Sequence, residues 1–143
     1  MGHIPFNRVS WTGNEMKNLE IAVASGHLSG SGPYTRLAER MIEDLLDRKN
    51  LLTTSCTHAL EMSALLCNLA PGDEVIVPSY TFVSSASAFA MFGAKPVFVD
   101  SRRDTLNIDA NLIEQAITPR TKAICIVHDG GVACEMEAIS ALA

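Results

Sequence analysis

Three consecutive residues, Ser55-Cys56-Thr57, offer the first chemistry in this chain. They follow the apolar pair Leu51-Leu52 and precede a helix-like stretch that runs to Leu69. The segment reads as a short strand, a tight turn and a helix. A helix N-terminus presents unpaired backbone N–H groups and the positive end of the macrodipole, and the two hydroxyls add donors, so the turn can hold a phosphate. The same residues can do less: Ser55 or Thr57 can simply cap the helix.

Other residue types suited to binding recur at intervals. In Pro78-Ser79-Tyr80-Thr81-Phe82 an aromatic ring can stack on a planar ligand, contributing about 0.5–1.5 kcal/mol beyond area burial, or can only cover the end of a sheet. Asp100 can accept from a ligand or cap a turn. His128 and Asp129 suggest an acid–base pair, although neighbours on an extended strand point to opposite faces. His128 and Cys134 lack the second spaced pair that a metal site requires. The loop His27–Pro33 (HLSGSGP) is followed by no Lys-Ser or Lys-Thr, so it is no Walker loop; it reads as a flexible lid or a linker.

The elements that must position these groups follow from periodicity. Asn14–Ser25 places Met16, Leu19 and Val23 on one helical face and stops at Gly26. Thr35–Asp47 is a second amphipathic helix, with Leu37, Met41 and Leu45 in its stripe and Thr35 as the expected N-cap. Strands and helices then alternate. Strands are expected at Leu51–Thr53, Glu74–Val77, Pro96–Val99 and Lys122–Val127. Helices are expected at Thr57–Leu69, at Ser84–Phe92, from an Asp109 cap with Leu112, Ile113, Ala116 and Ile117 inward, and from about Cys134. Pro71-Gly72-Asp73 is a turn. Alternation of this kind implies crossover connections and a largely parallel sheet, with ligands at the carboxyl edge of the strands. That edge would gather Ser55–Thr57, Ser79–Phe82, Asp100 and His128–Gly131.

The 143 residues are 48% hydrophobic and 19% charged, with a net charge of −5, which suits a globular chain and gives no electrostatic reason to expect nucleic acid or an anionic membrane. No apolar run approaches the roughly 18–20 residues of a membrane span, and MGHIPFNRVSW lacks the pattern of a signal peptide. A cytoplasmic location is expected. Cys56, Cys67, Cys125 and Cys134 show no CxxC spacing, and all but Cys56 read as small core fillers.

Seven segments in order, IPFNRV, SGHLSGSGPYTRLAERM, SCTHALEMSALL, PGDEVIVPSYTFVSSASAF, GAKPVFVD, LNIDANLIEQAITPRTKAI and VHDGGVACEM, resemble the N-terminal part of the DegT/StrS-type nucleotide-sugar aminotransferases. Within that family the nearest likeness is to the transaminases of the dTDP-4-amino-4,6-dideoxygalactose type. The resemblance implies the large domain of the fold-type-I aminotransferases, a mostly parallel sheet flanked by helices. It divides the chain into a helical arm with the glycine-serine loop (1–49) and an incomplete α/β domain (50–143). It implies pyridoxal 5'-phosphate as cofactor, with glutamate and a keto-sugar nucleotide as substrates, and a homodimer whose active site forms between subunits near Leu28–Gly32. Residue by residue, Ser55, Cys56 and Thr57 match the phosphate loop and Phe82 the ring that stacks on the pyridoxal. His128 matches a position beside the cofactor.

Two departures stand out. Asp129 occupies a position that is usually aromatic in the family. The family's catalytic lysine and its cofactor-pairing carboxylate correspond to positions past Ala143, and Lys17, Lys49, Lys95 and Lys122 do not match that context. The expectation is an N-terminal fragment without transaminase activity of its own, with an unpaired sheet edge as a folding liability; the alternative is a non-catalytic remnant that binds a phosphorylated ligand or a full-length subunit.

Overall fold

The computed structural model describes residues 3–143. They fall into two compact units that meet in sequence between Leu52 and Thr53. The first holds α1 (Glu15–Ala24) and α2 (Pro33–Leu46). Glu15 opens α1 by accepting from the backbone N–H groups of Thr12 and Gly13 and from the Thr12 hydroxyl. Those bonds to the charged form hold its carboxyl down at about 2. Helix α2 begins two residues before the expected Thr35 cap. Pro33 sits at its first turn and the extended Gly32 takes the cap position, because proline's fixed φ suits a helix start and its missing N–H costs nothing there. The expected apolar stripes exist but lie exposed, with Met41 and Leu45 at 65% and 81%.

The second unit is built on three parallel strands, β1 (Glu74–Pro78), β2 (Lys95–Val99) and β3 (Thr121–Ile124), in the order β2-β1-β3. Central β1 is buried along its whole length, as expected of a strand covered on both faces. Its alternation sorts the core. Val75 and Val77 join Ala64, Phe89, Ala94 and Cys125 on one side. Ile76 joins Val99, Ile108, Ile113, Cys134 and Ile139 on the other. The first cluster is closed by α3 (Cys56–Leu66) and α4 (Ser84–Ala90), the second by α5 (Ala110–Ile113) and α6 (Met136–Leu142). The architecture is the expected α/β layering around a parallel sheet.

The edges of several elements differ from the sequence reading. Leu51–Thr53 forms no strand. Leu51 is 73% exposed, and the Leu52 N–H donates to the Glu39 carboxylate rather than to a sheet partner. β3 ends at Ile124 rather than Val127, although the Cys125 N–H still reaches the Ile76 carbonyl at 2.8 Å. Its neighbour β1 ends in Pro78, which has no N–H to continue the ladder. Ile117 lies beyond the short 3₁₀ turn Glu114–Ala116 that extends α5, and is exposed. Cys67, expected in the core, is exposed at the end of α3; Cys125 and Cys134 are buried.

At the amino end of the sheet, Glu74 is buried and its carboxylate accepts from the Thr118 hydroxyl at 2.6 Å and from the Arg120 guanidinium at 2.6 Å. Both partners favour the charged form and pull its carboxyl below the ordinary range. The β1–β3 register is irregular at this point, between Glu74 and Val75. Among the described residues no helix is long and apolar enough to cross a membrane.

Candidate functional site

The carboxyl ends of β1 and β3 and the N-terminus of α3 enclose a cavity of about 710 Å³. Its wall comprises Cys56, Thr57 and Leu60 of α3, Tyr80, Thr81 and Phe82 after β1, Ser84 and Ser85 of α4, and Cys125–Val127 and Asp129 after β3. Parallel strands place all their carboxyl ends on one edge, which is why segments some 70 residues apart meet there.

Ser55 caps α3: its backbone is extended (φ −160°, ψ 160°) and its hydroxyl oxygen accepts from the His58 N–H at 3.2 Å. The bond satisfies one of the four orphan donors of the first turn. The Cys56 and Thr57 N–H groups meet no acceptor among the described residues. Both residues line the cavity, so the positive end of an eleven-residue helix borders an open space. The cap uses the Ser55 hydroxyl and leaves the Cys56 and Thr57 N–H groups available for the other role open to this turn.

Phe82 is 74% exposed and Tyr80 56%. Neither covers the sheet as a packing residue would; both leave ring surface for a planar ligand. Thr81 donates its hydroxyl to Ser85 at 2.7 Å. The buried Cys125 thiol forms part of the wall, and desolvation pushes it up to about 11, with the nearby Cys56 adding to the effect. It stays a neutral thiol at physiological pH.

His128 is turned elsewhere. It does not line the cavity, and its Nδ1 accepts from the Cys134 N–H at 3.0 Å. The Cys134 thiol donates to the Val127 carbonyl at 3.2 Å. Asp129 does line the cavity. The pair stands beyond the end of β3, where a 3₁₀ turn begins at Asp129, and no hydrogen bond joins the two side chains, so they form no direct couple. Asp100 lies outside the wall, and its carbonyl accepts from the Asp109 N–H, closing the turn that leads into α5. Among the described residues no three His, Cys, Asp or Glu side chains group as metal ligands.

One contributor escaped the sequence reading. Asn107 is 3% exposed and spends both ends of its amide on the loop carrying Asp129. Its Oδ1 accepts from the Asp129 N–H and its Nδ2 donates to the Val132 carbonyl, each at 2.9 Å. The only signal in sequence was an asparagine set between apolar residues in Leu106-Asn107-Ile108. Replacing Asn107 by leucine keeps the bulk and strands both backbone groups. It is expected to cost about 1–3 kcal/mol, read as a lowered urea midpoint, with increased protease cutting between Asp129 and Val132.

The donor set, two N–H groups at a helix start beside exposed aromatic rings, suits a phosphate ester attached to a flat heterocycle. No lysine stands on the wall. The sequence pattern of the DegT/DnrJ/EryC1/StrS aminotransferase family matches residues 10–143. Among solved structures, Spr1654 from Streptococcus pneumoniae, assigned as a sugar aminotransferase and solved in PMP form, is 35% identical with a TM-score of 0.90, over 98% of this chain and 35% of that one. The aminotransferase from Psychrobacter cryohalolentis is 32% identical with a TM-score of 0.89, over 96% and 36%. A 3-amino-5-hydroxybenzoic acid synthase is 34% identical with a TM-score of 0.86, over 93% and 35%. The chain spans about a third of the length of these structures.

Proposed function

Since the chain belongs to the DegT/DnrJ/EryC1/StrS aminotransferase family, we propose that its cavity is the phosphate-and-ring half of a pyridoxal 5'-phosphate site. The observation that carries this reading is the opening of the unpaired Cys56 and Thr57 N–H groups into the same space as Phe82. Ser55 holds the helix start in shape, Cys56 and Thr57 take the phosphate, and Phe82 offers a face to the ring. His128 acts one step back, fixing the turn at Cys134 and so presenting Asp129. Bound there, the cofactor supplies a conjugated ring and an aldehyde carbon that accept and return an amino group.

For the whole enzyme to which these residues correspond, the reading is amino transfer from glutamate to a keto-sugar nucleotide by a cytoplasmic homodimer. The seven ordered sequence segments support it. The finer assignment to the dTDP-4-amino-4,6-dideoxygalactose type rests on those segments alone; one matching neighbour is named for a different compound, 3-amino-5-hydroxybenzoic acid. A wall without an amine favours cofactor binding without turnover in these 143 residues. Equilibrium dialysis with pyridoxal 5'-phosphate should show one saturable site. Glutamate and a keto-sugar nucleotide should yield no amino sugar. Absence of saturable binding overturns the cofactor reading, and amino-sugar formation overturns the restriction to binding.

A further inference from the structure

Asp129 is the one residue on the cavity wall with a formal charge at neutral pH; every other lining side chain is apolar, hydroxylic, phenolic or a thiol. Its N–H is held by Asn107, and its carboxylate makes no hydrogen bond or ion pair among the described residues. It is half-buried on the loop that follows β3. The same cavity therefore has an anion-attracting end at α3 and a fixed negative charge.

We infer that Asp129 makes this cavity select among B6 phosphates by charge, favouring the amine-bearing form, pyridoxamine 5'-phosphate, over forms without an ammonium group. The inference rests on the cofactor reading above and names the form held best. The phosphate is common to all such ligands and takes the N–H groups of Cys56 and Thr57 in each case. What varies is the remainder of the molecule. One added positive charge is attracted by Asp129, and its absence leaves the ligand's negative charge facing a carboxylate uncompensated. Leu60, Ile126, Val127 and the neutral Cys125 thiol form much of the surrounding wall, so screening by water is reduced. The site would then retain the aminated form and release the other, a bias set by a residue outside the phosphate loop.

The test compares two probes of one shape, pyridoxamine 5'-phosphate and 4'-deoxypyridoxine 5'-phosphate, which carry an aminomethyl and a methyl group at the same ring position. Neither has an aldehyde to react with surface lysines. Calorimetric titration of the 143-residue chain should give a Kd ratio of about ten in favour of the amine. In Asp129→Asn the ratio should fall to within about twofold of one, and in Asp129→Glu it should return. Asparagine keeps the backbone N–H that Asn107 accepts from, so the loop tether survives the substitution. Equal affinities in the unsubstituted chain, or an unchanged ratio in Asp129→Asn, overturn the inference while leaving the cofactor reading intact. Failure of both probes to bind overturns both.

Discussion

Replacing Cys56 by proline is expected to weaken binding of 4'-deoxypyridoxine 5'-phosphate by roughly tenfold to a hundredfold while leaving the urea midpoint within error of the parent. Cys56 is the first residue of α3, the helical position that proline favours and where it breaks no internal hydrogen bond. Ser55 before it is already extended, as a residue preceding proline must be. The substitution deletes one unpaired N–H of a residue on the cavity wall and leaves the helix in place. A hydrogen bond to a charged group contributes about 1.5–3 kcal/mol, which sets the expected loss. Cys56→Ala separates the thiol from the amide, because it keeps the N–H and should bind the probe within about threefold of the parent. If Cys56→Pro folds normally and binds unchanged, the phosphate sits elsewhere.

The largest effect on stability is expected at Ile76. It is fully buried at the middle of the central strand, packed in the cluster that joins the sheet to α5 and α6. Truncation to alanine removes three carbons and leaves a cavity between a strand and two short helices. Large-to-small changes of this kind cost about 2–5 kcal/mol, a substantial part of the stability of a small unit. Urea denaturation followed by far-UV circular dichroism should show a midpoint lowered by at least about 0.7 M, given a slope of about 1–3 kcal/mol/M. Ile76→Val is expected to cost about 0.5–1.5 kcal/mol. A small loss in the alanine variant would mean that α5 and α6 are not held by this cluster.

Both substitutions were placed using features partly visible in the sequence. The alternation of strand and helix was legible because a parallel sheet covered on both faces leaves apolar runs separated by helical periods. Local chemistry also spoke clearly at some turns. Gly72 has φ +96° in the Pro71-Gly72-Asp73 turn, and Asp109 caps α5 by accepting from the Asn111 N–H. What failed was what depends on a distant partner. Leu51–Thr53 has the composition of a strand, but pairing requires a free neighbouring edge, and Leu52 finds a carboxylate instead. Cys67 is apolar in type yet lies at a helix end that nothing covers.

The site divided in the same way. The Ser55 cap and the place of Phe82 on the cavity wall were readable because capping and the end of a strand are set by residue type and local position. The separation of His128 from Asp129 did not follow from strand geometry, because β3 ends at Ile124 and the pair lies where a 3₁₀ turn begins. The loop that carries them is tied by Asn107, 22 residues earlier, through a side chain that only the folded chain brings to it.

The Glu74 cluster bears on the opposite end of the sheet. Along β3 and just beyond, Ala123 and Cys125 belong with the α3–α4 side and Ile124 and Ile126 pack against the other. A slip of one residue would exchange them, since side chains alternate with a period of two. Thr118 and Arg120, clasped by Glu74 just before the strand begins, stop that slip where the ladder is irregular. Which side of the sheet each β3 side chain packs against is thus set at the far rim, by residues that lie outside the cavity wall.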